Sequence, residues 1–273
     1  MLDQAYTTIK LEREGHILHV TLDRPQSRNA MSLAMVHELD QVCSALENDL
    51  SVRAVVLRGE GGHFCSGGDI KDMASARANA ASKGEGADSQ EDPFYELNKA
   101  FGLLIAKMNQ IPQVVVAVLE GAVLGGGFGL ACVSDVAIAT ETAKFGMPET
   151  TLGIPPAQIA PFVVKRIGLT QARRLALLGT RFGGVESVHL GISHFYAEDE
   201  DAVQRILGRT LDQIKQCAPQ ANAVTKALML KAAEEPAETL IDDAAKAFSA
   251  AVQGEEGIAG GMAFIQKKPA PWA

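Results

Sequence analysis

Two glycine-rich turns are the parts of this sequence whose residue types and spacing best suit chemistry. The turn "VLGGGFGL" contains Gly125, Gly126, Gly127 and Gly129, and the turn "CSGGDI" contains Gly67, Gly68, Asp69 and Ile70. Without side chains, the backbone amides of such turns can approach a ligand atom closely. Each turn alone is more often a tight connection. Two turns at matched strand-to-helix positions favour an oxyanion hole, in which two N–H donors stabilise charge that develops on a carbonyl oxygen.

Other glycine-rich and metal-dependent sites do not match the sequence. Leu130 and Cys132 exclude a GxGxxG pattern, and no GxxxxGK[ST], GxSxG or HExxH occurs. The sequence therefore does not support a dinucleotide oxidoreductase, a P-loop enzyme, an elbow hydrolase or a zincin. The scattered cysteines form no CxxC pair and no zinc-ligand spacing, so we expect neither a metal nor a separate cofactor. They are Cys43, Cys65, Cys132 and Cys217.

The elements that must position these turns alternate between strands and helices. "HILHVTLDRP", "RAVVLRG", "PQVVVAVLEG" and "DVAIAT" read as strands, whereas "SLAMVHELDQVCSALENDL" has helical spacing and "LGGGFGLACVS" opens a helix. Two strand–helix units of similar layout predict a stacked α/β core. We divide the chain into a core over residues 1–197 and a C-terminal helical region over 198–273.

Two further segments differ from that core. Residues 73–93 are rich in Ala, Ser, Gly and Asp, which predicts a mobile loop or frayed helix that is either a surface insertion or a lid. The C-terminal region predicts three amphipathic helices, "EDEDAVQRILGRTLDQIKQCA", "PQANAVTKALMLKAAEE" and "AETLIDDAAKAFSAAVQ". The final stretch "GGMAFIQKKPAPWA" reads as a terminal tail that contains Lys267, Lys268 and Trp272.

Composition limits the classes of partner. The 273 residues are 47% hydrophobic with a formal net charge of −8, which is typical of a globular protein and argues against nucleic-acid and anionic-membrane binding. The charged N-terminal stretch "MLDQAYTTIKLEREGHILHV" shows no signal-peptide pattern. With cysteines that read as reduced thiols, these features predict a cytoplasmic location.

Three stretches, "HFCSGGDIKDM", "EGAVLGGGFGLACVSDVAIA" and "AKFGMPETTLGI", resemble the enoyl-CoA hydratase/isomerase (crotonase) superfamily. The similarity extends from "VTLDRPQSRNAMS" to the end of the chain. It implies a crotonase-like α/β spiral of repeated ββα units followed by C-terminal helices that assemble a homotrimer or a dimer of trimers. The implied substrate is an acyl-CoA thioester, in which coenzyme A is part of the substrate.

The resemblance also implies roles for particular residues. Gly68 and Gly126 would donate their N–H groups to the thioester carbonyl, and Glu149 of "GMPET" would be the acid–base group. The residues that would line the coenzyme A and acyl path are Ser27, Arg28, Ala30, Ser66, Asp69, Ile70, Pro148 and Gly129. Lys267 and Lys268 are weaker candidates for contacts with the nucleotide phosphates.

The hydratases of this superfamily carry two glutamates, and this sequence matches only one of them. Gly129 stands where the first is expected, and Glu149 matches the second. Asp135 and Glu120 read as structural or capping groups, and His63 as a loop hydrogen-bonding residue. A single carboxylate is chemically sufficient for hydration if it takes a proton from water and returns it to the α-carbon.

The segment "PETTLGIPPAQIAPFVVKRIGLTQARRLAL" resembles the branch acting on branched glutaconyl thioesters, and it has "GIPPAQIAP" where ordinary hydratases are Gly-rich. The hypothesis is hydration of isohexenylglutaconyl-CoA or 3-methylglutaconyl-CoA, in acyclic terpene or leucine catabolism, with the isohexenyl substrate closer. The alternatives are a 3,2-enoyl-CoA isomerase and a non-catalytic acyl-CoA-binding protein.

Overall fold

Strands and helices alternate along the computed structural model, which describes residues 5–69 and 92–273. The strands are β1 (Ile9–Glu14), β2 (Ile17–Leu22), β3 (Ala54–Gly59), β4 (Val114–Leu119), β5 (Ala122–Leu124), β6 (Val136–Thr140), β7 (Lys144–Gly146), β8 (Arg181–Gly183) and β9 (Phe195–Ala197). The α-helices are α1 (Leu33–Leu46), α2 (Pro93–Gln110), α3 (Gly126–Val133), α4 (Ala160–Leu178), α5 (Gly184–His189), α6 (Glu200–Lys215), α7 (Pro219–Ala232), α8 (Ala237–Gln253) and α9 (Glu255–Gln266). None of the helices in these two ranges is both long and apolar enough to cross a bilayer.

The strands form two sheets. The larger sheet has six strands in the order β1-β2-β3-β4-β6-β9, and every neighbouring pair except β1 and β2 is parallel. The smaller sheet has the order β5-β7-β8, with β5 and β7 parallel.

The chain moves between the sheets in a repeated ββα unit. In one unit β4 joins the large sheet, β5 joins the small sheet and α3 follows; in the next, β6 and β7 take these places and α4 follows. Residues 63–65 follow β3 and run beside β5 through a parallel bridge from Cys65 to Val123. The predicted α/β fold of repeated ββα units with C-terminal helices is thereby confirmed.

Alternating side chains of the large sheet enter two apolar clusters. Val55 and Leu57 of β3 pack with α1 and α2, whereas Ala54 and Val56 pack on the opposite face against α6. This period of two is the pattern expected of a strand that is covered on both faces. The buried central strands give the loops at the carboxyl ends of β4 and β6 a rigid base.

The C-terminal prediction is incomplete. The three predicted helices are α6, α7 and α8, but the first half of the stretch predicted as a tail belongs to a fourth helix, α9, which ends where Lys267 adopts a left-handed φ of 53°. The paired glycines in "IAGGMAFIQ" weakened the helical signal in the sequence. The division at residues 197 and 198 stays a prediction.

The side chain of Arg53 ties the C-terminal region to the large sheet. Its guanidinium is buried, and it donates to the carbonyls of Ile214 at 3.0 Å and Trp272 at 2.7 Å, as well as to those of Lys215 and Cys217. The carbonyls at the end of α6 lack partners within their own helix, so the cation caps them.

Replacing Arg53 with methionine is expected to lower the free energy of unfolding by about 2–4 kcal/mol, because four charge-assisted hydrogen bonds to backbone carbonyls are lost. Urea unfolding measures the change. As a matched control, Lys246→Met removes an exposed cation whose ion pair with Asp242 lies at the surface, and it should change stability by less than about 0.5 kcal/mol. Equal losses in the two variants would contradict the capping role.

Candidate active site

Three neighbouring extended segments deliver the three predicted catalytic residues to one place. Residues 63–65 lead to Gly68, β5 leads to Gly126, and β7 leads to Glu149. β5 lies in the middle, bridged to Cys65 on one side and paired with β7 on the other. The N–H of Gly125 donates to the carbonyl of Gly146 at 3.1 Å, which extends the pairing into the glycine turn.

The two glycine turns touch each other through their backbones. Gly67 has a φ of +99° and Gly125 a φ of +50°, both unfavourable for residues with side chains. A Cβ built on Gly125 would lie 3.4 Å from the Cα of Gly67, and one built on Gly67 would lie 3.4 Å from the carbonyl oxygen of Leu124. Glycine is therefore required at both positions for this close approach.

The first glycine turn does not follow β3 immediately. A 3₁₀ turn (Glu60–Gly62) and the extended residues 63–65 lie between the strand and the glycines. The helix expected after it would begin beyond Asp69 and lies outside the described residues, as does Ile70.

The amides of Gly68 and Gly126 point away from the backbone pairing around them. Met31 forms a parallel bridge with Gly68 by donating to the carbonyl of Gly67 at 2.8 Å and accepting from the N–H of Asp69 at 3.0 Å. In a parallel bridge this pattern directs the N–H of the central residue, Gly68, to the opposite side. Gly126 is the first residue of α3, whose N-cap provides no side-chain acceptor. Within residues 5–69 and 92–273 neither amide forms a hydrogen bond.

The carboxylate of Glu149 lies against the second glycine turn. Its Oε1 would be 2.8 Å from a Cβ built on Gly125, and its Oε2 is buried without a hydrogen-bond partner among the described residues. Burial raises the pKa of Glu149 above its ordinary value, and a hydrogen bond to its own backbone opposes that shift. A buried carboxylate with a free oxygen and a raised pKa is suited to taking up and returning a proton.

The backbone around Glu149 is held in place. Glu149 begins a 3₁₀ turn that ends at Leu152, and its carbonyl accepts from the N–H of Ile154 at 3.1 Å. The carbonyl of the preceding Pro148 accepts from the N–H of Thr151 at 2.9 Å and from its Oγ1 at 2.7 Å. These bonds restrict the backbone that carries the carboxylate.

The space beside Gly129 is filled by aliphatic side chains. Gly129 is buried inside α3, and a Cβ at this position would overlap Cγ2 of Ile159 and lie 2.9 Å from Cδ1 of Ile105. Ile159 comes from the unusual "GIPPAQIAP" stretch and Ile105 from α2. No carboxylate can occupy this position without displacing both side chains.

Asp135 and Glu120, the two other acidic residues considered from the sequence, are engaged elsewhere. Oδ2 of Asp135 accepts from the N–H of Val115 at 2.8 Å and from Nζ of Lys226 at 2.7 Å. Glu120 forms a two-pronged ion pair with Arg58, at 2.6 and 3.0 Å. Both arrangements fit the structural roles that we expected for them.

Replacing Gly129 with alanine is expected to lower the free energy of unfolding by about 1–3 kcal/mol, because the added methyl group overpacks the contact with Ile159. Combining it with Ile159→Ala should recover part of that loss, since the shortened side chain frees the required space. Urea unfolding of both single variants and the double variant measures this coupling. If the losses of the two single variants simply add in the double variant, the contact with Ile159 is not the cause of the destabilisation by Gly129→Ala.

The predicted coenzyme A residues of the "PQSRNA" loop lie next to the first glycine turn. Ser66 connects the two segments, since its Oγ donates to the carbonyl of Ser27 and its N–H donates to that of Arg28, each at 3.0 Å. Arg28 is exposed and has a left-handed φ of 52°. Ala30 is buried, and its carbonyl accepts from the side chain of Arg24 at 2.6 Å.

The carboxylate of Asp69 has a partner of its own. It is nearly buried and forms an ion pair with the guanidinium of Arg24 at 2.7 Å. The pair joins the first glycine turn to the loop at residues 24–30. The structure thus brings these candidate residues together around the turn, and their contacts with coenzyme A stay predictions.

Several residues of this site were missed by reasoning from the sequence. Phe101 of α2 covers the second turn, since its ring atom Cζ would lie 3.2 Å from a Cβ on Gly126. The fully buried Asn29 accepts from the N–H of Arg24 at 2.8 Å and donates through Nδ2 to the carbonyls of Glu60 at 2.9 Å and His63 at 2.6 Å. Ile105 and Ile159 complete the group.

Comparison with known proteins agrees with this geometry. Residues 12–273 match the family model described as enoyl-CoA hydratase/isomerase. Among curated relatives, the enoyl-CoA hydratase AKT6-1 of Alternaria alternata is 32% identical over 221 residues, which is 81% of this chain and 68% of that protein. A probable enoyl-CoA hydratase of Bacillus subtilis is 29% identical over 261 residues, 95% of this chain and 96% of that protein.

Solved structures are also similar to this chain over nearly its whole length. AtuE of Pseudomonas aeruginosa is 57% identical with a TM-score of 0.92, covering 98% of this chain and 100% of its own. An enoyl-CoA hydratase/isomerase from Marinobacter aquaeolei is also 57% identical with a TM-score of 0.92, covering 97% of this chain and 98% of its own. With its spiral of ββα units and its paired glycine turns, the chain belongs to the enoyl-CoA hydratase/isomerase family of the crotonase superfamily.

Proposed function

We propose that this protein hydrates a branched 2-enoyl-CoA thioester with Glu149 as its sole acid–base residue. The observation that carries the proposal is the carboxylate of Glu149, whose Oε1 lies beside Gly125 and whose Oε2 is buried without a hydrogen-bond partner among residues 5–69 and 92–273, together with the aliphatic filling at Gly129. In the part of the chain that the structure describes, the carboxylate of Glu149 lies against the second glycine turn, and the place of a side chain at position 129 is occupied by Ile159 and Ile105.

The proposed reaction uses this carboxylate twice. Glu149 takes a proton from water, the resulting hydroxide adds to the β-carbon, and the electron pair of the double bond moves onto the thioester oxygen as an enolate. The amides of Gly68 and Gly126 stabilise that oxyanion. Protonated Glu149 then returns its proton to the α-carbon, which restores both the thioester and the carboxylate.

On the acid side of the pH profile, the midpoint of the fall in kcat/KM is expected at a higher pH than the ordinary pKa of an exposed glutamate. The base must be ionised in the free enzyme, and burial raises the pKa of Glu149. The rate should therefore fall as the pH is lowered through this raised pKa. A pH–rate profile measures this fall, and a midpoint at or below the ordinary glutamate value would contradict the assignment.

The branched acyl group is supported by the resemblance of "PETTLGIPPAQIAPFVVKRIGLTQARRLAL" and by apolar walls around the site. Phe101, Ile105 and Ile159 offer hydrocarbon surface rather than polar partners next to α3. We place isohexenylglutaconyl-CoA before 3-methylglutaconyl-CoA as substrate, with roles in acyclic terpene and leucine catabolism respectively.

Incubation with each of these two thioesters in water labelled with ¹⁸O tests the function. Loss of absorbance of the conjugated thioester and one labelled oxygen in the product are expected for at least one of them. The matched control is Glu198→Gln, which alters an exposed glutamate and should keep the rate of the native protein. Absence of turnover with both thioesters would refute the substrate assignment.

A 3,2-enoyl-CoA isomerase is the second candidate, and the single carboxylate favours it. Moving a proton between two carbons requires one base and no bound water. Exchange of solvent deuterium into the thioester without uptake of ¹⁸O would support the isomerase over the hydratase. Tight thioester binding without either reaction would indicate a non-catalytic acyl-CoA-binding protein.

We also propose that the protein is cytoplasmic and that it assembles as a homotrimer or a dimer of trimers. Large apolar side chains are exposed on α8 and α9, among them Phe248, Met262, Phe264 and Ile265. Phe264 is 86% exposed in a single chain, which is unfavourable unless another surface covers it. Sedimentation equilibrium tests the assembly, and a monomer at micromolar concentration would contradict it.

A further inference from the structure

The spacing of the two proposed oxyanion donors depends on the pairing between residues 63–65 and β5. Around the bridge from Cys65 to Val123, the N–H of Cys65 donates to the carbonyl of Ala122 at 2.8 Å, and the N–H of Leu124 donates to the carbonyl of Cys65 at 2.9 Å. This is the regular parallel pattern. Gly68 follows one of these segments and Gly126 the other.

On the N-terminal side of this bridge the regular parallel pattern is not continued. Its continuation would join the N–H of His63 to the carbonyl of Glu120 and the N–H of Ala122 to the carbonyl of His63. Instead, the N–H of Phe64 donates to the carbonyl of Glu120 at 2.8 Å, so Phe64 and Cys65, adjacent in sequence, both donate to this strand. Such an extra residue is a bulge, and it leaves the N–H of Ala122 without its backbone acceptor.

The side chain of His63 takes the place of that acceptor. Its Nδ1 accepts from the N–H of Ala122 at 3.1 Å, while its own carbonyl accepts from Nδ2 of Asn29 at 2.6 Å. Since Nδ1 accepts here, the ring carries its proton on Nε2 in this bond. One residue thus closes the bulge with its ring and connects it to the "PQSRNA" loop with its backbone.

Gly121 allows the ring to lie in this position. It has a φ of +48°, and a Cβ there would overlap both the carbonyl oxygen of Gly62 and Nδ1 of His63. On the opposite side, the carbonyl of Gly121 accepts from the N–H of Lys144 at 2.6 Å, which begins the pairing with β7. The start of β5 is therefore held between the His63 ring and the strand that leads to Glu149.

We propose that His63 is a positioning residue for the reaction, because its imidazole fixes the start of β5 and thereby the spacing between the amides of Gly68 and Gly126. The proposal rests on the proposed function, in which these amides bind the thioester oxygen. His63 acts through the backbone, and its ring is directed at Ala122 rather than at a reacting atom.

The test compares His63→Leu with His63→Asn. Leucine removes the acceptor, and we expect kcat to fall about 10-fold or more with KM changed less than about threefold, since sub-ångström displacement of catalytic donors lowers the rate steeply. Asparagine can place its Oδ1 where Nδ1 of the histidine lies, because both atoms are bonded to Cγ. The asparagine variant should therefore keep most of the native kcat.

A matched control separates positioning from general stability. Nδ1 of His194 accepts from the N–H of Ala137 at 3.0 Å, which is the same kind of bond at the start of β6, away from the glycine turns. His194→Leu should lower the melting temperature as His63→Leu does, yet keep kcat within about twofold. Equal losses of kcat in the His63 and His194 variants would overturn the proposal.

Crystal structures of the two His63 variants give a readout that is independent of turnover. The distance between the nitrogens of Gly68 and Gly126 should change with leucine and stay as in the native protein with asparagine. An unchanged distance in His63→Leu overturns the positioning role even if the enzyme hydrates its thioester. Failure of the native protein to hydrate any thioester would refute the proposed function instead, and the structural comparison would still decide the role of His63.

Discussion

Glu149→Gln is expected to lower kcat for the hydrated thioester by about 10³-fold, because a side-chain amide of nearly the same shape can neither take a proton from water nor return it to the α-carbon. KM should change by less than about threefold, since the glycine turns and the coenzyme A path are untouched. Steady-state kinetics on the best of the two branched thioesters measures both values. Retention of full activity would refute the proposed mechanism.

The same substitution is expected to make the protein more stable at neutral pH. Burial raises the pKa of Glu149 in the folded state, so between the ordinary and the raised value the folded protein binds more protons than the unfolded chain. Stability therefore falls as the pH rises through that window and stays reduced above it. Glutamine carries no charge, so the variant should unfold at a higher temperature at pH 7 and lose this part of the pH dependence.

The exposed Glu198 provides the comparison for both effects. Glu198→Gln removes a carboxylate that lies at the surface, and it should alter neither kcat nor the melting temperature measurably. A loss of stability in Glu149→Gln would show that the carboxylate makes a favourable contact in the folded state. That result would contradict the finding that its Oε2 has no hydrogen-bond partner in the described part of the chain.

Gly125→Ala is expected to lower kcat by about 10²-fold, since the turn that presents the Gly126 amide must move. The added methyl group would lie 2.8 Å from Oε1 of Glu149 and 3.4 Å from the Cα of Gly67, so it displaces the base and separates the two turns. The φ of +50° adds backbone strain of about 1–3 kcal/mol. Kinetics and urea unfolding on the same preparation measure the two effects.

Gly15→Ala separates strain from displacement. Gly15 also has a positive φ, +58°, but a Cβ there would meet no atom within 4 Å, and the residue lies in the turn between β1 and β2. This variant should lose about 1–2 kcal/mol of stability and keep its kcat. If Gly125→Ala also kept its kcat, the contact between the turns would not matter for the reaction.

The residues of the site that could be predicted are those that belong to contiguous sequence motifs. Gly68, Gly126 and Glu149 each belong to a short pattern that shows the residue type and its place at a strand end, and the fold brings all three to neighbouring segments. Their catalytic roles remain predictions. The ββα repeats were predictable for a similar reason, because apolar periodicity is local.

Contacts between distant segments could not be predicted. Phe101 and Ile105 meet the glycine turn only because α2 packs against α3, and no local pattern marks them. Ile159 had a partial signal, since "GIPPAQIAP" departs from the usual Gly-rich stretch, but nothing in the sequence pairs it with Gly129. The ring of His63 depends on a bulge, which is a property of two strands rather than of one.

The segment at residues 73–93 was predicted as a mobile loop or frayed helix. Residues 70–91 lie outside the described part, so its role as insertion or lid stays a prediction. α2 begins at Pro93, with Asp92 as its N-cap accepting from the N–H of Phe94 at 2.9 Å. An Asp before a Pro is a typical helix start, but the prediction of a loop up to residue 93 did not use this signal.

Two of the three proposed catalytic groups are peptide amides, and that has a consequence for how such a protein changes over generations. A point mutation can delete a carboxylate, but it cannot delete a backbone N–H unless it introduces proline. Lineages can therefore exchange side chains at positions such as 129 and 149 and so explore new reactions on acyl thioesters. The proposed means of holding an enolate would pass through such exchanges unchanged, because it consists of backbone amides in the glycine turns.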